Sequence, residues 1–219
     1  YQKQYEEDFE KSELPLIKVL NNLNLARNSN LNIAGLILFG KEPEKYKPAF
    51  IIKAVFFVGN DPAGDNYRDS IDIKGKVEEL YRGATDFLKR NLKYIQQEKG
   101  INTLGNLEIP PIVLEELIVN ALIHRNYFIN TPIRLFVFDN RVEIISPGKL
   151  PNNLTIDNIK SGNSNIRNDI ITSFATKELP YRGIGTGIRR AIKNYPDINF
   201  VNDIEGEQFV AIIKRPDTK

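Results

Sequence analysis

The spacing of apolar residues along the chain predicts a mixture of helices and strands. Apolar positions recur every three or four residues across 73–95, which predicts an amphipathic helix. Residues 49–58 are almost continuously apolar and rich in Ile, Val and Phe, which favours a strand. Residues 13–26 carry a short apolar helix pattern. The apolar run 33–39 is too short for periodicity to separate a strand from a buried helix.

Stretches rich in proline, glycine or charge divide these elements. They predict loops at 41–48 and 59–69, and a joint between two parts of the chain at 99–111. We therefore predict two domains. Residues 1–100 form a linker and an α+β segment, and residues 101–219 form a second domain.

The second domain has its own order of helices and strands. A helix is predicted from Pro111, which suits a first helical turn, to about 127. Two alternating runs joined at Asp139 and Asn140 predict a β-hairpin. The remaining predicted elements are a short helix near 168–175, a helix that opens at 183–187 and reaches about 194, and strands at 198–201 and 208–213. This order is typical of an α+β sandwich.

Composition excludes several kinds of chemistry. The chain has 30 Lys and Arg against 28 Asp and Glu, so it lacks the bulk positive charge that binds nucleic acid. It has no cysteine and one histidine, which excludes disulfides, thiolate sites and multi-histidine metal sites. We expect a cytoplasmic protein. Because the chain contains no methionine and begins at Tyr1, we also expect it to be a piece of a longer protein.

A line of polar side chains marks the helix predicted after Pro111. Glu116, Asn120 and His124 are four residues apart, so they form one polar stripe on an otherwise apolar helix. Such a stripe fits either a hydrogen-bonded polar seam or a ligand cleft. In the second case Glu116 is a candidate general base, and the Asn120 amide oxygen is a candidate ligand for Mg²⁺.

The glycine loop, residues 183–187, is the second candidate feature. Alternating glycines let a backbone approach an anion, and the following helix offers free amides and the positive end of its dipole. The spacing matches neither the dinucleotide fingerprint nor the Walker loop. A flexible turn or close helix packing also explains such glycines. Arg182 is a candidate phosphate ligand beside this loop.

Two polar segments lie between the stripe and the glycine loop. Ser146, Pro147 and Gly148 come directly after a predicted strand and either approach the base of a ligand or form a plain turn. Arg167 and Asn168 either close over phosphates or cap the next helix.

Three motifs, taken in chain order, resemble those of the GHKL ATPase superfamily. They are Glu116, Asn120 and His124; Ser146, Pro147 and Gly148; and Gly183, Gly185, Thr186 and Gly187. The phrases EELIVNALIHRNY, RVEIISPGKLP and LPYRGIGTGI are similar to a bacterial branch described as the carboxy-terminal domain of RecG-like helicases or transcriptional regulators. The resemblance covers about residues 31–214 and implies a GHKL (Bergerat-type) α/β sandwich. In full-length relatives an AlbA/Schlafen-like DNA-binding domain comes first, and we expect this chain to begin after most of it.

The resemblance also implies roles for individual residues. Glu116 matches the catalytic carboxylate, Asn120 the Mg²⁺ ligand, and the glycine loop the phosphate-binding box, so ATP and Mg²⁺ are the implied cofactors. The family reads adenine with an aspartate, whereas this chain has Ser146 there. Asp139 does not replace it, because it lies some 17 Å away at the other end of the strand by strand rise.

The sequence is compatible with two functions. One is a transcriptional regulator whose ATP-binding domain, a slow Mg-dependent ATPase, controls an upstream DNA-binding domain. The other is a non-enzymatic regulator that uses the same fold for homodimerisation or for binding another effector. The helicase label carries little weight, because the chain has no Walker loop or helicase motif.

Overall fold

A computed structural model describes residues 14–64, 66–96, 105–183 and 185–216. The helices are α1 Leu16–Asn22, α2 Ile33–Phe39, α3 Pro43–Tyr46, α4 Val77–Asn91, α5 Pro111–His124, α6 Ile156–Lys160, α7 Asp169–Glu178 and α8 Gly187–Asn194. The strands are β1 Ala26–Arg27, β2 Asn30–Leu31, β3 Ile52–Phe57, β4 Tyr67–Ile73, β5 Tyr94–Ile95, β6 Asn106–Leu107, β7 Ile133–Val137, β8 Arg141–Pro147, β9 Ile198–Asp203 and β10 Gln208–Lys214.

The central sheet contains six strands in the order β4-β3-β7-β8-β10-β9. Every neighbouring pair is antiparallel except β3 and β7, which run parallel with Ile52 opposite Ile133. The sheet therefore joins strands from both halves of the chain. With its helices it forms an α+β sandwich, which confirms the predicted fold class.

Alternating burial along the strands shows how the sheet packs. Ile52, Ala54 and Phe56 of β3 are buried, whereas the residues between them are more exposed. Helices α4 and α5 contact the sheet and each other, so α5 lies between the sheet and the other helices and is buried on most sides. This position explains why α5 is apolar around most of its circumference.

Several predicted elements are confirmed. The strand at 49–58, the hairpin and the last two strands are present, with small shifts of their ends. The helix at 73–95 is α4, and the helix after Pro111 is α5. Residues 33–39, for which the sequence allowed a strand or a buried helix, form helix α2. The side chain of Asn32 caps this helix by accepting a hydrogen bond from Gly35 N.

Other predictions were wrong in their bounds or missed an element. The predicted loop 41–48 contains α3. The predicted loop 59–69 overlaps the start of β4, and Ile73, which was predicted to begin a helix, is the last residue of that strand. The helix predicted at 13–26 is only seven residues long, and the one predicted to reach 127 ends at His124. Helix α6, with a capping box at Thr155, was not predicted.

The predicted joint at 99–111 falls partly outside the described residues, which resume at 105. Its described part contains β6, which pairs with β5, and ends at the start of α5. The domain boundary after residue 100 stays a prediction. Among the residues that the structure describes, no helix is long and apolar enough to cross a membrane.

Candidate functional site

The polar stripe of α5 lines a cavity between this helix, the end of β8, the segment 148–167 and the glycine loop. Pro111 occupies the start of α5, where its missing N–H costs nothing. The apolar sides of the helix pack into the core, so the one polar line is directed to the cavity. The hydrophobic pattern of the sequence thus determines which face of α5 lines the cavity.

Glu116 is the acidic residue among the described lining of the cavity, and 5% of its surface is exposed. Its carboxylate forms an ion pair with the guanidinium of Arg190 on α8. The side-chain amide of Asn120 donates to the Glu116 carbonyl oxygen at 2.7 Å and approaches a Glu116 carboxylate oxygen at 3.4 Å. These partners compensate the cost of burying the carboxylate.

The glycine loop brings α8 against α5. Gly183 and Gly185 have φ angles of 69° and 70°, a backbone conformation that favours glycine. Gly187 begins α8, and a Cβ built there would overlap the Oε1 atom of Glu116. The glycine at 187 therefore leaves room for the Glu116 carboxylate against the start of α8.

The start of α8 lies in the wall of the cavity. Thr186 precedes the helix, and its side chain makes no capping hydrogen bond. The first amides of a helix have no partner within it and attract anions. Because Gly183, Gly185, Thr186 and Gly187 all line the cavity, this end of the cavity has the chemistry of a phosphate site.

Ser146 lies at the other end of the cavity, inside β8 and not after it as the sequence suggested. Its buried hydroxyl donates to the carbonyl oxygen of Ala121 at 3.1 Å. The hydroxyl proton is thereby committed to α5, so the Ser146 oxygen can offer only its lone pairs to a ligand. A ligand group beside Ser146 is expected to be a hydrogen-bond donor.

His124 is also half-buried in the cavity wall. Burial, with a smaller contribution from the charge of Arg167, lowers the pKa of His124 to about 4. The imidazole is therefore neutral at physiological pH and can act as one donor and one acceptor. It adds no charge to the cavity.

Gly148 and Arg167 close the cavity beyond Ser146. Gly148 has a φ of 101°, and a Cβ there would meet Asn126 Cβ and the Arg167 guanidinium at 2.7 Å. Arg167 donates to the carbonyl of Lys149, and burial lowers the pKa of its guanidinium. Arg167 thus holds the segment that follows β8 over the cavity.

All sequence-predicted site residues line this one cavity. They are Glu116, Asn120, His124, Ser146, Gly148, Arg167, Arg182, Gly183, Gly185, Thr186 and Gly187. Arg182 is exposed at the rim. The sequence left open whether Asn168 closes over phosphates or caps the next helix. Its side chain makes no capping hydrogen bond to α7. It donates instead to the carbonyls of Ile123 and Arg125 and so caps the end of α5.

Sequence reasoning missed two parts of the cavity. Arg190 was not selected from the sequence, although it follows Gly187 by three residues and therefore shares its helix face. The apolar wall was also missed, because its members come from distant segments. It is formed by Ile144, Leu150, Pro151, Leu154, Ile159 and Phe209.

Comparison with known proteins agrees with the chemistry of this cavity. Residues 130–209 match a protein-family model described as "Putative ATP-dependent DNA helicase recG C-terminal". The match supports an ATPase-like domain. The matched segment contains Ser146, Arg167 and the glycine loop, whereas Glu116 and Asn120 lie upstream of it. No curated protein matches the chain.

A solved structure shares the fold of the chain. The DIP2311 protein from Corynebacterium diphtheriae is similar to it with a TM-score of 0.72 over 93% of this chain, at 19% sequence identity. At this identity the likeness shows the fold alone. The chain spans 41% of the length of that protein.

Proposed function

We propose that the ATPase-like domain binds Mg·ATP in this cavity and hydrolyses it slowly. One observation carries the proposal: the stripe of α5 and the glycine loop, 59 or more residues apart in sequence, line one cavity. A buried acid, an amide and a helix start face one another there, which is the donor and acceptor set that a phosphate chain with a divalent cation requires.

Mg²⁺ fits the α5 side of the cavity. Among the described residues, no group of three or more His, Asp or Glu side chains could hold a metal alone. Mg²⁺ commonly takes only one or two protein oxygens and completes its shell with phosphates and water. Because Asn120 Nδ2 binds the Glu116 carbonyl, its Oδ1 atom points away from Glu116 and is the proposed Mg²⁺ ligand.

The Ser146 end of the cavity, where we place the base of the nucleotide, favours adenine through one weak hydrogen bond. The Ser146 oxygen, with its proton committed to Ala121, accepts a hydrogen bond from an exocyclic amino group. A neutral acceptor binds an N–H group about half as strongly as a carboxylate does. We therefore expect modest affinity for ATP.

Hydrolysis is expected to be slow because Glu116 is already engaged. A general base needs a free lone pair directed at the attacking water. In this structure Arg190 holds one carboxylate oxygen of Glu116, and Asn120 approaches the other. Both contacts reduce the availability of the carboxylate as a base.

The second candidate function is a non-enzymatic regulator that binds a nucleotide or another effector without turnover. The ion pair between Glu116 and Arg190, together with Ser146 at the base end, favours this alternative. In both cases we propose that the domain controls an upstream DNA-binding domain, with a homodimer as the regulated assembly.

Calorimetric titration with ATP, with and without Mg²⁺, tests the proposal. Binding should be Mg-dependent, and ATP at a hundredfold excess over Kd should add about 2.7 kcal/mol to the free energy of unfolding. Glu116→Gln should reduce turnover roughly 10²- to 10⁴-fold without loss of affinity. No heat and no stabilisation at millimolar ATP would contradict both binding and hydrolysis, whereas binding without turnover would select the non-enzymatic alternative.

Gly185→Ala should weaken ATP binding, because Gly185 has positive φ and its added Cβ would lie 2.9 Å from Ser164 Oγ. Gly59→Ala is the matched control: Gly59 also has positive φ but open space around it and lies outside the cavity. Equal effects of the two substitutions on ATP affinity would argue against a phosphate site at the glycine loop.

A further inference from the structure

We propose that Arg190 recognises the terminal phosphate of the bound nucleotide and exchanges Glu116 for that phosphate when ATP binds. The inference rests on the proposed function, because it requires nucleotide in the cavity. It goes further by assigning to one arginine both the discrimination of ATP from ADP and the release of the carboxylate on which hydrolysis depends.

The position of Arg190 on α8 directs its side chain to the phosphate end. Long side chains on a helix point back toward its first turn, so the guanidinium of a residue at 190 lies over Gly187. The structure agrees: the Glu116 carboxylate contacts the Arg190 guanidinium and also faces the Cα of Gly187. The guanidinium thus lies at the helix start where a phosphate would bind.

Arg190 has unused hydrogen-bonding capacity at this place. A guanidinium carries five N–H donors in a planar fork that matches the oxygens of carboxylates and phosphates. Only Nη2 donates to Glu116, and the buried Nε atom has no partner among the described residues. A terminal phosphate, with three oxygens, can satisfy donors that Glu116 leaves free.

Exchange of partners also follows from charge. Glu116 carries one negative charge, and a terminal phosphate next to it carries more, so the phosphate competes for the single guanidinium. When Arg190 turns to the phosphate, the Glu116 carboxylate regains the lone pairs that a general base uses. ADP, which ends one phosphate earlier, leaves Arg190 on Glu116.

The two neighbouring arginines do not have this geometry. Arg182 is exposed at the rim of the cavity, and Arg189 is exposed on another side of α8, where its side chain packs against Gly162. Arg189 does not line the cavity. Because it has the same charge on the same helix, it is the matched control for Arg190.

The test measures Kd for ATP and for ADP, both with Mg²⁺, in the wild type, Arg190→Gln, Arg190→Lys and Arg189→Gln. Arg190→Gln should weaken ATP at least tenfold more than ADP, and Arg190→Lys should retain part of the preference because it keeps the charge but loses the fork. Arg189→Gln should leave the ratio of the two Kd values unchanged.

Glu116→Gln supplies the second arm, since it removes the charge that competes for Arg190. ATP should bind more tightly to Glu116→Gln than to the wild type, with ADP unchanged. The gain should vanish when Arg190→Gln is added. If Arg190→Gln alone does not fold, Glu116→Gln is compared with the double variant instead. Both lack the Glu116 carboxylate and only Glu116→Gln keeps Arg190, so the double variant should lose the preference for ATP over ADP; an unchanged preference would overturn the inference.

The outcomes separate the two proposals. If the wild type binds neither nucleotide, both the proposed function and this inference are overturned. If it binds nucleotide but Arg190→Gln changes ATP and ADP equally, or changes neither, this inference is overturned and the proposed function stands. Weaker ATP binding by Glu116→Gln would also overturn it, because an exchange of partners requires the opposite sign.

Discussion

Ser146 has a structural role that accounts for a hydroxyl where the resembling family has an aspartate. The last carbonyls of α5 have no partner within the helix, and three side chains satisfy them. Ser146 donates to Ala121 O, Tyr127 to Leu122 O and Asn168 to Ile123 O. An ionised aspartate at 146 would face the negative end of the helix dipole without a proton to donate. A hydroxyl therefore suits this helix end.

His124 gives the free energy of unfolding a specific pH dependence. Its pKa is about 4 in the folded protein and 6.5 in the reference state, so folding favours the neutral imidazole. This contribution is fully present above pH 6.5 and is lost as pH falls from 6.5 to 4. The shift corresponds to about 3 kcal/mol.

Urea unfolding at pH 7, 5 and 4 measures this contribution by comparing the wild type with His124→Gln. The wild type should lose about 3 kcal/mol more than the variant between pH 7 and 4, because glutamine does not titrate. Parallel losses in both proteins would show that the imidazole is not held neutral by the fold.

At the scale of elements, the Glu116 carboxylate of α5 reaches the start of α8 because residue 187 has no Cβ. Gly187 occupies the first turn of α8, where alanine is the better helix former by up to about 1 kcal/mol. The structure predicts the opposite effect, because an alanine Cβ would overlap Glu116 Oε1. Gly187→Ala should therefore lower the free energy of unfolding by about 1–3 kcal/mol, the usual cost of overpacking.

A double-mutant cycle separates overlap from other causes. In a Glu116→Ala background the overlapping atoms are gone, so Gly187→Ala should become neutral or stabilising. Urea unfolding of the four proteins measures the coupling. The same loss in both backgrounds would show that the close approach of the helices does not limit residue 187.

The elements that the sequence predicted are those with a strong internal pattern. Helix α4 has one apolar face, which is buried, and strands β3, β7 and β10 are short apolar runs that contribute residues to the core. Strand β4 was missed because it is an edge strand with the sequence YRDSIDI, largely exposed on both faces. Its pairing with β3, and not its composition, makes it a strand. No window of the sequence contains that information.

The candidate site shows the same limit. The stripe of α5 and the glycine loop were predictable, because each lies within one segment and its chemistry depends on spacing. The partner of Glu116 was not, since Arg190 is 74 residues away and is one of three arginines around the glycine loop. Only the packing of α8 on α5 selects which arginine meets the carboxylate.

At the scale of the whole molecule, a buried ion pair links distant segments. Arg215, just after β10, donates to Glu108 Oε1 from Nε at 3.1 Å and from Nη2 at 2.8 Å, and to the Phe138 carbonyl at 2.6 Å. Glu108 Oε1 also accepts a hydrogen bond from Lys93 N at 2.8 Å. One carboxylate thus connects the segment before α5 to the end of α4 and to the last strand.

Substituting one member of this ion pair should lower the free energy of unfolding strongly, whereas substituting both members should lower it much less. Arg215→Met leaves the Glu108 charge buried, which typically costs about 3–5 kcal/mol of unfolding free energy. Adding Glu108→Leu removes that charge, so the double variant should recover most of the loss and leave only the lost hydrogen bonds to Lys93 N and the Phe138 carbonyl. Arg82→Met, in the exposed pair with Glu78, is the control and should cost less than about 1 kcal/mol. Urea unfolding gives all three values. If the double variant is no more stable than Arg215→Met, the loss does not come from a Glu108 charge left buried without its partner, because removing that charge would then restore nothing.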